Sequence, residues 1–256
     1  MLVDSHCHLD FPEIADQLDA VLQLMRENQV ERALCVSVTL EDFPRVRQLA
    51  ETYPHIHGSV GVHPDYEKVD AVSVEELLAL ADSPRIVAIG ETGLDYFRLT
   101  GDLEWQRERF RTHIRAAREC GKPLIIHTRA AAADTLRIMR EEGADKAGGV
   151  MHCFTESAEV AKAAMDLGFY ISFSGIVTFK NARDIKAVAT AVPLENMLVE
   201  TDSPYLAPVP YRGRTNQPGY VKHVAEEIGR LKGVPFDQVC SITTKNFFNL
   251  FNSIKG

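Results

Sequence analysis

The chain has 256 residues, of which 45% are hydrophobic and 25% are charged, a composition that excludes a disordered or fibrous protein. Its formal net charge of −8 argues against a protein that coats nucleic acid through many lysine and arginine contacts to phosphates. Chemistry on nucleic acid would therefore be confined to a local site.

The amino-terminal segment gives no sign of targeting. It carries Asp4 and Asp10 and lacks the basic lead and apolar core of a signal peptide. No stretch of the sequence approaches the roughly 20 apolar residues that a membrane span needs. The five cysteines are scattered, without the paired spacing of zinc ribbons or redox motifs. We therefore expect a cytoplasmic protein that has no membrane contact and no obligate protein partner.

Eight short apolar runs alternate with amphipathic stretches along the chain. The runs lie at 2–8, 32–38, 56–62, 86–91, 123–128, 148–153, 169–175 and 197–201. Helical periodicity is shown by Leu18, Val21, Leu22 and Met25, and again by Phe247, Leu250, Phe251 and Ile254. Strands that alternate with helices form parallel sheets, and no Gly-rich phosphate loop follows the first run. We therefore predict an α/β protein with a (β/α)8 TIM-barrel fold, in which residues 1–256 form one domain.

Residues that can bind metal ions lie at the ends of five of these runs. The first run ends in His6-Cys7-His8, where strand alternation places both imidazoles on one face and Cys7 on the other. A single His-x-His pair is weak evidence for a metal site. Four further candidates lie at the ends of other runs: Glu91, His127, His152 and Asp202. Catalytic groups of such barrels converge at the carboxyl-terminal rim, so we expect all six side chains to meet there.

Four imidazoles and two carboxylates suit two first-row divalent ions, with one carboxylate bridging ions that lie roughly 3.5–4 Å apart. Mg, Mn and Zn are all compatible with this set of ligands. Two such ions activate water at neutral pH, polarise a substrate oxygen and neutralise charge in the transition state. The sequence therefore predicts a two-metal hydrolase.

The same residues lie in motifs that together resemble the TatD-like metal-dependent hydrolases, a branch of the amidohydrolase superfamily that includes DNases. The motifs are DSHCHLD at 4–10, GVHP at 61–64, GETGLDY at 90–96, PLIIHTR at 123–129, HCF at 152–154, SFSG at 172–175, ETDSPYLAP at 200–208 and RGRTNQP at 212–218. They extend over nearly the whole chain. The resemblance implies a TIM barrel with two divalent ions, as the pattern of strand ends does.

The resemblance also implies a role for each of the six residues. His6 and His8 would bind on one side and Glu91 would bridge the two ions, at the position where many amidohydrolases use a carboxylated lysine. The set would be completed by His127, His152 and Asp202. The catalytic residues would be Glu91 and Asp202, with Asp202 accepting a proton from the attacking water.

The resemblance implies phosphodiester hydrolysis on DNA, often from the 3′ ends of single strands. Some relatives remove D-amino acids from tRNA. The main alternative is therefore an ester or amide hydrolase, such as a D-aminoacyl-tRNA deacylase.

Two residues beyond the six candidate ligands could contact the substrate close to the ions. His63 follows Ser59 by four residues, so in an extended strand both side chains would lie on the same face and His63 could face the barrel mouth. The alternative is a surface imidazole held by the turn at Pro64. Arg129 follows His127 by two residues on the same face, and its planar guanidinium suits a phosphate group. Arg129 is therefore the leading candidate for binding the substrate phosphate.

Loops after the last two runs provide further candidates. Further positive charge at the rim could come from Lys180, Arg212 and Arg214. The alternative is that these three residues are ordinary solvated surface charges. The long proline-rich segment 203–220 predicts a functional loop in which Tyr205 or Tyr211 stacks on a base, unless these tyrosines only pack. We expect structural or exposed positions for the other histidines, His55, His57, His113 and His223.

Overall fold

Eight parallel strands follow one another in chain order around a single sheet. The computed structural model describes residues 1–69 and 71–254. Its strands are β1 (Leu2–Cys7), β2 (Val30–Cys35), β3 (Ile56–Val60), β4 (Ile86–Asp95), β5 (Leu124–Arg129), β6 (Gly149–Met151), β7 (Phe169–Phe173) and β8 (Met197–Val199). A parallel bridge between Cys7 and Ser203 brings the first strand beside the segment after the last, so the sheet forms a nearly closed barrel.

Helices connect the strands and surround the barrel. They are α1 (Pro12–Ala15), α2 (Leu18–Glu27), α3 (Phe43–Thr52), α4 (Val74–Ala81), α5 (Glu104–Cys120), α6 (Ala132–Glu141), α7 (Ala158–Met165), α8 (Arg183–Ala191), α9 (Val221–Lys232) and α10 (Phe236–Leu250). Short 3-10 turns lie at Ala144–Lys146, Gly175–Thr178, Leu194–Asn196 and Pro218–Tyr220. The predicted TIM-barrel fold is confirmed. No helix within the described residues is long and apolar enough to cross a membrane.

The barrel interior is filled at its amino-terminal end. Inward-facing Leu34, Ile125 and Leu198 pack there with Phe247 and Phe251 from the carboxyl-terminal part of the chain. Helix α10 is held against this end because its Asn246 amide donates hydrogen bonds to the carbonyls of Leu194 and Met197, each at 2.8 Å. The opposite end, where the strands finish, therefore remains available for polar side chains.

Some element boundaries differ from the sequence predictions. Strand β4 was predicted to end at Glu91 but continues to Asp95, pairing with β5 along the way. Gly93 permits this, because its φ of 134° suits glycine and a Cβ there would collide with the His127 carbonyl oxygen. The predicted helical pattern at the carboxyl terminus is also too long, since α10 ends at Leu250 and Ile254 lies in the turns that follow.

Candidate metal centre

The six predicted ligand residues meet at the carboxyl-terminal rim of the barrel. Strand β1 contributes His6 directly and His8 one residue past its end, while Glu91 lies within β4. His127 lies in β5, and His152 immediately follows β6. Asp202 lies three residues beyond the end of β8. Cys7 points the other way, as predicted, and packs in the hydrophobic layer between strands and helices.

Glu91 lies at the middle of this group and directs its two carboxylate oxygens to different sides. Its Oε2 is 3.4 Å from Nε2 of His6 and 4.0 Å from Nε2 of His8. Its Oε1 is 2.8 Å from Nε2 of His152 and 3.3 Å from Nδ1 of His127. The carboxylate therefore separates two sets of nitrogen atoms.

On the Oε2 side, two imidazoles and a second carboxylate face one another. Asp202 Oδ1 is 3.6 Å from Nε2 of His6 and 3.5 Å from Nε2 of His8. The other ring nitrogen of His8 donates to the Val36 carbonyl at 2.9 Å, which leaves its Nε2 to face the site. This set offers two nitrogen and two oxygen ligands once Glu91 is counted.

On the Oε1 side, His63 joins His127 and His152. Strand β3 ends at Val60, so His63 lies in the loop after it rather than in the strand as predicted. Its Nε2 is nonetheless 3.4 Å from Glu91 Oε1 and 3.4 Å from Nδ1 of His127. The structure thus brings His63 about as close to the Glu91 carboxylate as His6 and His127.

Two carboxylates that were not among the predicted site residues orient these imidazoles from behind. Asp95 Oδ2 is 3.1 Å from Nε2 of His127, so Nδ1 of that ring turns toward Glu91. Glu200 Oε1 is 3.2 Å from Nδ1 of His152, so Nε2 turns toward Glu91. A carboxylate behind a metal-binding imidazole is a common arrangement that fixes the ring and raises its basicity.

The loop that carries Asp202 is held by buried polar contacts. The Asp4 carboxylate accepts the backbone N–H and the hydroxyl of Thr201, at 2.8 and 2.5 Å. The Asn216 amide donates to the carbonyl oxygens of Thr201 and Tyr205, at 2.9 and 2.6 Å. Asp202 itself has a φ of 57°, an unfavourable conformation for a non-glycine residue, which these contacts help to maintain.

The charge states of the central groups depend on one another. Burial alone would raise the pKa of Glu91, but the charges of His152 and His63 and hydrogen bonding with His127 hold it well below its usual range. Burial alone would lower the pKa of His8, but Asp202 raises it to about 9. The Glu91 and Asp202 carboxylates are thus charged while His8 and His152 retain protons, whereas burial lowers the pKa of His6. Ions that bind here must displace those protons, so binding is coupled to pH.

The residues fit divalent ions by an independent criterion. His152 Nε2 is buried and has no hydrogen-bond partner within the described residues. It lies 2.8 Å from Glu91 Oε1 without the geometry of a hydrogen bond. Buried polar atoms are normally paired, and an imidazole nitrogen aimed at a carboxylate without bonding to it suits a metal ligand.

Comparison with known proteins places this centre in a family. The sequence profile described as "TatD related DNase" matches residues 3–252. The chain belongs to the TatD family. The Escherichia coli K12 protein "Uncharacterized metal-dependent hydrolase YcfH" is 48% identical to it over 254 residues, which cover 98% of this chain and 96% of the relative.

Two further relatives agree. The Bacillus subtilis protein "Uncharacterized metal-dependent hydrolase YabD" is 43% identical over 256 residues, covering 98% of this chain and 99% of the relative. The crystal structure of YjjV, a TatD homologue from Escherichia coli K12, has a TM-score of 0.91 and 31% identity, covering 98% of both chains. The predicted TatD family and the coarser prediction of a metal-dependent hydrolase are therefore confirmed.

The predicted substrate-contacting residues lie on the same side of the TatD barrel but are less tightly grouped. Arg129 ends β5, and its guanidinium lies over the Phe97 ring, 3.9 Å from the centroid. Arg212 lies likewise over Phe179 at 3.6 Å. Exposed positions in the loops after β7 and β8 are occupied by Lys180, Arg212 and Arg214.

The two tyrosines proposed to stack on a base differ in how free their rings are. Tyr205 is 54% exposed and approaches Phe11 edge to face, with 6.1 Å between ring centroids. Tyr211 stacks on Tyr220, with ring centroids 4.0 Å apart and an interplanar angle of 4°. One face of Tyr211 is therefore covered by the protein itself, whereas Tyr205 is open.

Asp95, Glu200 and the exposed Phe97 were not singled out by sequence reasoning. A signal for the two carboxylates exists, because Glu200 precedes Asp202 by two residues and Asp95 follows Glu91 by four. Even spacing on an extended segment places side chains on the same face. The sequence gives no comparable signal for Phe97, whose position depends on a turn formed around Asp95.

Proposed function

We propose that this chain is a two-metal phosphodiesterase that removes nucleotides from the ends of single-stranded DNA, starting at the 3′ end. The observation that carries the proposal is the position of Glu91. One of its oxygens faces His6 and His8, and the other faces His127 and His152. Such a carboxylate suits the bridge of a two-metal hydrolytic site.

Two sets of ligands follow from this geometry. His6, His8 and Asp202 would bind one ion together with Glu91 Oε2. His127 and His152 would bind the other together with Glu91 Oε1, and His63 is close enough to add a nitrogen or to contact the substrate. Imidazole and carboxylate ligands are compatible with Mg, Mn or Zn.

When bound, two divalent ions supply an activated water at neutral pH and neutralise charge on a phosphoryl group in the transition state. The protein must then accept the proton of the attacking water. Asp202 suits this role because its side chain is 16% exposed, whereas that of Glu91 is 3% exposed. Water can therefore reach Asp202, whereas the more deeply buried Glu91 would serve to bind the two ions.

Several features support a nucleic-acid substrate. The family profile is described as a DNase, which concerns the family and makes a phosphodiester the first substrate to test. Arg129 places a planar cation at the rim, where it can bind a phosphate. The chain has a net charge of −8, so binding should involve a few phosphates at a strand end rather than a long duplex.

A substrate panel tests this proposal. The metal-loaded protein is offered 3′- and 5′-labelled single-stranded DNA, duplex DNA, RNA, D-aminoacyl-tRNA and simple esters, each with Mg, Mn and Zn. We expect mononucleotides released progressively from the 3′ end of single-stranded DNA, and no cleavage after chelation. Cleavage of closed circular strands as fast as linear ones would rule out end recognition. Deacylation of D-aminoacyl-tRNA without any cleavage of nucleic acid would make the chain a deacylase instead.

A further inference from the structure

Phe97 is an aromatic side chain exposed at the rim of the barrel. It lies two residues beyond the end of β4 and is 65% exposed. Arg129 covers one side of the ring, with its guanidinium carbon 3.9 Å from the centroid. A large apolar ring that remains this accessible beside a catalytic centre is available to a ligand.

The backbone at Phe97 is fixed to the metal centre by one carboxylate. Asp95 Oδ1 accepts the backbone N–H groups of Phe97 and Arg98, each at 2.9 Å. Its other oxygen, Oδ2, is 3.1 Å from Nε2 of His127. The side chain that orients a candidate metal ligand therefore also sets the turn that presents Phe97.

A second connection joins the same turn to the other side of the centre. The Arg98 guanidinium donates to Asp65, and Asp65 in turn contacts Nδ1 of His63. The segment that carries Phe97 is thus linked to two imidazoles that face Glu91. The backbone that carries the Phe97 ring therefore has a defined position relative to the metal centre.

Two further exposed side chains near the centre are also aromatic. Tyr66 and Tyr205 are 38% and 54% exposed. Tyr66 lies near His63, with ring centroids 6.3 Å apart, and Tyr205 contacts Phe11, which stacks on His8 at 4.7 Å. Flat rings around a polar centre suit planar ligand groups better than aliphatic chains.

Arg129 differs from Arg98 and Arg107, two arginines of this rim that form ion pairs. Arg98 pairs with Asp65, and Arg107 pairs with Asp134 at 3.1 Å. In residues 1–69 and 71–254, Arg129 forms no ion pair, and its guanidinium packs on the Phe97 ring. Its positive charge therefore remains available to an anionic ligand that also touches the ring.

We propose that the free face of Phe97 stacks on the base of the terminal nucleotide, while Arg129, on its other face, attracts the adjoining phosphate. This platform rests on the proposed function, because it assigns a nucleotide as the group that enters the same centre. It adds that the enzyme recognises the base as well as the phosphodiester. Stacking of this kind is tolerant of sequence, because every base has an aromatic face.

The test compares two substrates that differ only in the terminal base. One is a single-stranded DNA with an ordinary 3′-terminal nucleotide, and the other carries a tetrahydrofuran abasic residue there. The metal-loaded wild-type protein is compared with Phe97→Ala, Phe97→Trp and Phe248→Ala. Phe248, in α10, is the matched control because its ring also lies beneath an arginine, Arg32. Arg32 lies near the start of β2, so this pair is at the opposite end of the barrel from the metal centre.

We expect Phe97→Ala to lower kcat/KM on the ordinary substrate by roughly 5- to 150-fold, the range that base–aromatic stacking corresponds to. The preference of the wild type for the base-bearing end should disappear in this variant. Phe97→Trp should keep the preference, and Phe248→Ala should behave as wild type, provided that both bind metal normally.

Two results would overturn the platform, and they are distinguishable. If Phe97→Ala cleaves both substrates as fast as wild type, the platform is wrong while the phosphodiesterase proposal stands. If the wild type cleaves neither substrate but hydrolyses other compounds of the panel, the proposed function fails and the platform fails with it.

Discussion

Glu200 Oε1 lies 3.2 Å from Nδ1 of His152 and accepts the backbone N–H of Cys153 at 2.8 Å. The opposite nitrogen of the same ring is the one that faces Glu91. Glu200 therefore does not reach the centre itself but fixes the orientation of a residue that does. Cys153 has a φ of 42°, so the segment behind His152 is also held in an unfavourable conformation.

The first prediction concerns Glu200. Glu200→Gln keeps the shape of the side chain but removes the charge that orients and polarises His152. Metal affinity or activity should fall about 10- to 100-fold, as is typical when a carboxylate behind a ligand is lost. Metal titration and kcat measurements check this, with Glu195→Gln, exposed just before β8, as the control. Unchanged metal affinity together with unchanged activity would show that Glu200 has no positioning role.

The second prediction separates the two central carboxylates. Asp202→Asn keeps a weak oxygen ligand but removes the proton acceptor, so kcat should fall at least about 10²-fold with metal content largely kept. Glu91→Gln should lose metal as well, because both of its oxygens face imidazoles. Metal analysis of both purified variants distinguishes these outcomes. Two fully loaded variants would contradict the bridging role of Glu91.

The third prediction concerns the salt dependence of substrate binding. If Arg129 binds one phosphate, Arg129→Ala should raise KM on single-stranded DNA. The slope of log affinity against log salt should also become shallower by about 0.7, the value for one contact on a single strand. Arg45→Ala, an exposed arginine of α3, is the matched control and should change neither quantity. An unchanged slope for Arg129→Ala would mean that Arg129 does not contact phosphate.

The fourth prediction concerns stability at low pH. His113 is buried, donates through Nδ1 to the Arg109 carbonyl at 2.8 Å and accepts the Val62 N–H through Nε2 at 3.0 Å. Burial lowers its pKa from 6.5 to about 4. The unfolded chain thus takes up this proton at higher pH than the folded chain. The contribution of His113 is fully present above about pH 6.5 and is lost as the pH falls toward 4.

The measurement is the free energy of unfolding in urea at pH 7.5 and pH 4.5, with a chelator present so that metal binding does not contribute. Wild type should lose about 2.5 kcal/mol more than His113→Gln between these pH values, since each pKa unit corresponds to about 1.4 kcal/mol and the folded group is already partly protonated at pH 4.5. Equal losses in the two proteins would show that His113 is not a buried neutral imidazole.

Much of the fold could be predicted from the sequence because its strands are short, apolar and regularly spaced. The convergence of His6, Glu91 and Asp202 followed from their positions near strand ends, since parallel strands of a barrel finish at one rim. The alternation of His6, Cys7 and His8 was likewise fixed by strand geometry. These features depend on local pattern, which a single sequence displays.

Other features depend on contacts between distant segments and were missed. The extension of β4 to Asp95 needs the close approach of Gly93 to the backbone at His127. The same extension brings Asp95 behind His127, and the even spacing of Asp95 from Glu91 predicts this only if the strand is taken to continue past Glu91. His63 was predicted to face the barrel mouth as a substrate contact, but its approach to Glu91 from a loop was not predicted, because no periodicity determines the course of a loop.

The most direct test of a two-metal centre is a crystal structure of the protein soaked in Mn²⁺, with anomalous difference density measured at the manganese absorption edge. We expect two peaks about 3.5–4 Å apart, one on each side of the Glu91 carboxylate. The first should lie among His6, His8 and Asp202, and the second beside His127 and His152. A single peak, or peaks that do not contact Glu91, would contradict the account.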